Sequence, residues 1–138
     1  MNDFGLSFHH LGLAVRQSEG ALTFLKGLGY TISPPVYDHN QKVNLIMCTS
    51  SYQPNIELIF PSEDAGPLDN ILKSHDTLIY HTCYESVDID NSIQKIKDNG
   101  HRVLTVSDKK QAPLFEGRLV AFYFIKGMGL IEILEGNK

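Results

Sequence analysis

Hydrophobic positions along the chain switch between a period of two and a period near 3.6, and the switches mark the predicted elements. Phe8-His9-His10-Leu11-Gly12-Leu13-Ala14-Val15 alternates as a strand, with His10, Gly12 and Ala14 on one face and His9, Leu11, Leu13 and Val15 on the other. Ala21, Leu22, Leu25 and Leu28 then form a helical stripe, with Ser18 placed to cap it and Gly29 to stop it. Three strand-like runs follow, Thr31 to Asp38, Val43 to Thr49 and Asn55 to Phe60, and Pro34-Pro35 restricts the first to an irregular or edge position.

The polar stretch from Pro61 to Pro67 leads into a short helical run over Leu68 to Leu72. After it the pattern restarts. A strand over Leu78 to Glu85 precedes a helix from Asp88 with Ile89, Ile93 and Ile96 on one stripe and Gly100 at its end. Strands over His101 to Val106, Leu119 to Ile125 and Leu130 to Leu134 complete the chain. A shift of 71 residues lays His10 on His81, Leu22 on Ile93, Leu25 on Ile96, Gly29 on Gly100 and Ile32 on Val103. For the last strand the shift is 75, which lays Ile56-Glu57-Leu58-Ile59 on Ile131-Glu132-Ile133-Leu134, and the polar segment from Ser107 to Gly117 takes up the extra residues. The expectation is one domain over residues 1–138, built from two β-α-β-β-β modules at about 8–61 and 78–135. Each is too small to be comfortable alone, so each buries a sheet face against its twin.

Composition narrows the function classes. The 138 residues are 42% hydrophobic and 20% charged, the balance of one ordinary domain, and the net charge of −4 offers no electrostatic footprint for nucleic acid or an anionic membrane. Cys48 and Cys83 each lie in an apolar stretch and read as core residues in a reducing compartment. No basic leader and no apolar run of membrane-spanning length is present, so a cytoplasmic protein is expected.

The repeat delivers chemistry in pairs: His10 with His81 on the first strand of each module, Glu57 with Glu132 on the last. Each glutamate interrupts a run of branched aliphatics. On an inner face it costs several kcal/mol of desolvation unless paired or coordinated; the bland alternative is that these strands turn a polar face to solvent. Two imidazoles and two carboxylates at repeat-equivalent positions form a metal-ligand set. With room for water it suits one borderline divalent ion, Zn, Co, Ni, Mn or Fe, rather than calcium.

These segments resemble the vicinal oxygen chelate (glyoxalase/bleomycin-resistance/dioxygenase) family, and within it most closely the methylmalonyl-CoA epimerases. The resemblance rests on Phe8 to Val15, on Ile56-Glu57-Leu58-Ile59-Phe60-Pro61, on Tyr80-His81-Thr82-Cys83-Tyr84 and on Gly129-Leu130-Ile131-Glu132-Ile133, in the order His, Glu, His, Glu. It implies an α+β fold in which two βαβββ modules form an open, half-barrel mixed sheet with helices outside, holding one divalent metal through His10, Glu57, His81 and Glu132. It further implies an epimerase or isomerase that abstracts a proton α to a carbonyl bound at the metal, from a small carbonyl compound or an acyl-CoA thioester, with Glu132 as metal ligand and base. A homodimer is also implied. The chain departs from the pattern in two places: Val43-Asn44-Leu45-Ile46-Met47 carries no carboxylate where some such epimerases have a second glutamate, and Phe122 to Gly127 lacks a His-Pro pair. The second acid-base residue is therefore unassigned.

Three other readings of the same fold compete. A glyoxalase I-type lactoylglutathione lyase shares the quartet, but its glutathione site calls for basic residues near the first strand, where Arg16 stands alone. Non-catalytic antibiotic-binding proteins typically lack the quartet, and ring-cleaving dioxygenases leave the position of Glu57 free. Arg118, Lys126, Lys109 and Lys110 are candidates for the phosphates of a coenzyme A thioester, against the simpler reading of a solvated rim.

Overall fold

A computed structural model describes residues 2–136, which separate into two compact units, residues 10–80 and residues 2–9 with 81–136. In the 10–80 unit the elements are β1 (Ser7–Val15, entering the unit at His10), α1 (Glu19–Gly27), β2 (Thr31–Ile32), β3 (Val36–Asp38), β4 (Val43–Thr49), β5 (Ile56–Pro61) and α2 (Pro67–Leu72). The strand order is β2-β4-β5-β1, with β3 also paired to β4. The β1–β5 pair is parallel and the others are antiparallel. Val15, Leu25, Ile46, Cys48 and Leu58 form its core.

The second unit has β6 (Thr77–Ser86, entering the unit at His81), α3 (Ile89–Asp98), β7 (Val103–Gln111), a 3-10 turn over Pro113–Phe115, β8 (Leu119–Ile125) and β9 (Gly129–Glu135). Its strand order is β6-β9-β8-β7, again with one parallel pair, β6–β9. The predicted stripe of α3 packs as expected: Ile89, Ile93 and Ile96 are buried against Ala121, Tyr123, Ile131 and Ile133. Each such side chain contributes about 1.5–3 kcal/mol of transfer free energy.

Three local departures from the sequence pattern have physical causes. Thr31 to Asp38 is two short edge strands rather than one, because Pro34 and Pro35 have no N–H to donate to β4 and the pairing stops on either side of them. β7 runs on through the polar residues to Gln111, with two register irregularities against β8. Its side chains are mostly exposed, so main-chain pairing at a sheet edge holds it, and side-chain periodicity could not have signalled it. Helix entry also differs between the units: Asp88 accepts a hydrogen bond from the Asn91 N–H, whereas the Ser18 side chain makes no capping bond. The stop signals hold, since Gly29 and Gly100 have φ of +93° and +91°, the left-handed region that glycine enters at least cost.

The capping difference has a measurable consequence. Asp88→Ala is expected to cost about 1 kcal/mol in urea unfolding, and Ser18→Ala no more than about 0.3 kcal/mol. Cys48 supplies a second test, because burial pushes its thiol from 9.0 up to about 11. At pH 8 its thiolate fraction is then about one in a thousand, and thiol reagents are expected to leave native Cys48 unlabelled while modifying it in urea. The raised value favours the protonated thiol in the folded state. The stability this contributes is present below pH 9 and is lost as pH rises toward 11.

Candidate functional site

His10 lies on β1 and Glu57 on β5, in the 10–80 unit; His81 lies on β6 and Glu132 on β9, in the other. All four side chains are withdrawn from solvent: His10 is 0% exposed, and Glu57, His81 and Glu132 are 3% exposed. The solvent-facing alternative for the two glutamates is thereby removed. Within the 10–80 unit the His10 Nε2 to Glu57 Oε1 distance is 3.7 Å. Within the other unit His81 Nε2 stands 3.3 Å from Glu132 Oε1.

Strand register explains how each pair meets. Gly12 is the register partner of Glu57 across the parallel β1–β5 pair, and Cys83 is the partner of Glu132 across β6–β9. The registers coincide under the repeat shifts, so in both units the histidine lies two residues before the glutamate's partner, on the same strand face. A glycine or a cysteine beside the carboxylate leaves the space through which it leans diagonally toward the imidazole. On the other flank the partners are Met47 on β4 and Phe122 on β8. Both are buried, so each pair is walled by a large apolar side chain. The Phe122 ring meets the His81 imidazole edge-on, with centroids 5.3 Å apart and planes at 82°.

Neither Met47 nor Phe122 stands out in the sequence. The signal was nevertheless present, since the shift of 75 that aligns the last strands also lays Met47 on Phe122.

The donor set suits a divalent metal. Two ligands held about 2.1 Å from one ion, at angles from 90° to tetrahedral, lie about 3.0–3.4 Å apart. The His81–Glu132 separation falls in that interval and the His10–Glu57 separation slightly beyond it. The same imidazole nitrogen, Nε2, faces the carboxylate in each pair.

The candidate cations divide differently. Arg118 is spent on an ion pair with Glu85 and a hydrogen bond to the Glu135 carbonyl, and Lys109 pairs with Asp90. Neither is a ready phosphate ligand. Lys110 and Lys126 are exposed. Among the described residues no helix is long and apolar enough to cross a membrane.

The chain belongs to the Glyoxalase/Bleomycin resistance protein/Dioxygenase superfamily, whose model matches residues 9–122. Among solved structures it is similar to methylmalonyl-CoA epimerase from Mycobacterium tuberculosis, with a TM-score of 0.75 and 18% identity over 97% of this chain and 89% of that one. It is similar also to a hypothetical protein from Bacillus halodurans, with a TM-score of 0.76 and 24% identity over 96% of each chain. A third likeness is to a variant of Streptomyces coelicolor methylmalonyl-CoA epimerase in complex with 2-nitronate-propionyl-CoA, with a TM-score of 0.69 and 19% identity over 92% of this chain and 94% of that one. These likenesses establish the α+β, glyoxalase-type fold that the family resemblance implied. No curated protein matches the sequence.

Phe122 is expected to matter for stability apart from any reaction. Phe122→Ala removes a ring that is 7% exposed and should cost about 3–5 kcal/mol in denaturant unfolding of the metal-free protein.

Proposed function

We propose that this protein is a metal-dependent epimerase or isomerase acting by proton abstraction α to a carbonyl, of the methylmalonyl-CoA epimerase kind. Its one divalent ion, Zn, Co, Ni, Mn or Fe, is held by His10, Glu57, His81 and Glu132, two ligands from each of the modules 8–61 and 78–135 of a single domain. The observation that carries this reading is the pair of buried His–Glu contacts, 3.7 Å and 3.3 Å, one on equivalent strands of each unit. Two buried carboxylates without a cation would carry a desolvation cost that coordination offsets. The likeness to methylmalonyl-CoA epimerases supports the choice of reaction class, and with it an acyl-CoA thioester as substrate.

When bound, a divalent ion supplies Lewis-acid stabilisation of the negative charge that develops on a carbonyl oxygen as the α-carbon loses its proton. The remaining work belongs to the chain. Glu132 takes the proton, its carboxylate oriented by His81 and by the Phe122 wall. Leu134, two residues on along the same face of β9, and Phe122 across on β8 exclude bulk water and keep the abstracted proton from leaking. β4 presents Met47 beside Glu57, and no carboxylate lies between Val43 and Met47, so the group that returns a proton on the opposite face is unassigned.

Metal analysis and isotope exchange test the reading together. One divalent ion per chain is expected, falling below about a tenth of that when the four residues are replaced together. In deuterated water the protein should incorporate deuterium at the α-carbon of methylmalonyl-CoA, and Glu132→Gln should slow this by about 10²–10⁴. Retained metal in the quadruple variant would overturn the site. Turnover of a hemithioacetal without thioester exchange would replace the epimerase with a glyoxalase I-type lyase, and ligand binding without turnover would indicate a binding protein.

A further inference from the structure

The second unit has a cavity of about 560 Å³ that the proposed reaction does not use. Its floor is Leu6, Ile96, Ile125 and Ile131, all buried, and its walls include Phe4, Phe8, Tyr84 and Met128. It opens on the helix side of the strands. Ile131 lines it while the next residue, Glu132, points to the opposite face, and Tyr84 lines it while Cys83 faces the other way. The cavity and the His81–Glu132 pair are therefore separated by the thickness of the sheet.

Residues 2–8 close one side of this cavity and are held in place. The Asn2 side chain accepts hydrogen bonds from the Phe4 and Leu6 N–H groups and donates to the Leu6 carbonyl, which folds the segment into a turn. The Phe4 ring meets His101 edge-on at 6.0 Å, and Phe8 meets Tyr84 edge-on at 5.9 Å. A preformed apolar concavity of this size falls in the range of small-molecule sites.

The polar groups at the mouth select the ligand. Lys126 stands on the β8–β9 turn beside Met128, and among the described residues no carboxylate lines the cavity. Among the described residues Lys126 has no ion-pair partner, in contrast to Arg118 and Lys109. One ammonium at a chamber whose lining is otherwise mainly aliphatic and aromatic, with the Asn2 amide and His101 imidazole among its other polar groups, complements a molecule with a hydrocarbon body and one anionic end. We infer that this cavity binds a small aliphatic carboxylate, its chain against Leu6, Ile96 and Ile131 and its carboxylate at Lys126, as a site distinct from the one proposed for catalysis.

Octanoate is the probe, titrated calorimetrically into the full-length protein at neutral pH, with methyl NMR to locate it. Saturable binding with a Kd below about 1 mM is expected, with shifts at the methyl groups of Leu6, Ile96 and Ile131. Lys126→Glu should weaken it by about tenfold or more, and octanol should bind wild type about tenfold more weakly than octanoate does. Lys126 is exposed, so this variant retains the fold. Glu132→Gln should leave octanoate binding unchanged, which separates this site from the proposed catalytic one. Absence of saturable binding would overturn the inference, as would binding that survives Lys126→Glu but is lost in Glu132→Gln. Sedimentation showing a dimer that octanoate neither enters nor dissociates, with cavity methyls shifting on dilution, would assign the cavity to a second copy of the chain instead.

Discussion

The rest of the structure depends on burying a carboxylate beside an imidazole inside a strand of branched aliphatics, once in each unit. Moving a charged group out of water costs several kcal/mol even after relaxation, and neighbours such as Leu58, Ile59, Ile133 and Leu134 offer it nothing in return. A fold tolerates such a position only where a partner stands within reach. Here the partner comes from the adjacent parallel strand, two residues before the register partner of the glutamate. The parallel pairing of the first and last strand of each unit is thus what makes the glutamate affordable.

That constraint propagates outward. A side chain larger than Gly12 or Cys83 at the register position would fill the gap through which the carboxylate leans. On the far side, Met47 and Phe122 exclude water and keep the local dielectric low, which strengthens the imidazole–carboxylate interaction and equally raises the penalty for losing a partner. The helices lie on the other face, where Ile93 and Ile96 of α3 and Leu25 of α1 meet apolar strand residues and no charge is buried among them. Each strand therefore separates a polar, high-cost face from an ordinary hydrophobic one.

Much of this was legible in the sequence because the repeat made weak signals redundant. A lone histidine on a strand says little, whereas His10 and His81 under one shift, followed by Glu57 and Glu132 under a nearby one, gave both the βαβββ order and the candidate ligands. The single-copy features were less readable. Pro34-Pro35 splits a strand only because the partner β4 needs donors there. The polar end of β7 pairs through main-chain atoms that no side chain announces. Arg118 looked available for phosphate until its geometry with Glu85 and the Glu135 carbonyl was known, since an ion pair between residues far apart in sequence leaves no local trace.

The two units also differ in how they pack their apolar faces. In the 10–80 unit α1 buries Leu25 alone among its residues, and Phe24 and Leu28 remain exposed. In the second unit α3 buries a full stripe, and the segment 2–8 adds Phe4 and Leu6 to its core. The extra apolar segment lines a chamber there, with Phe4 and Leu6 on the turn held by Asn2 and Phe8 at the start of β1 forming one side of it. Filling such a chamber with side chains would add stability at about 25 cal/mol for each square ångström of apolar surface removed from water. Lys126, without an ion-pair partner among the described residues, stands beside it, and that is what distinguishes the proposed ligand site from an imperfectly packed core.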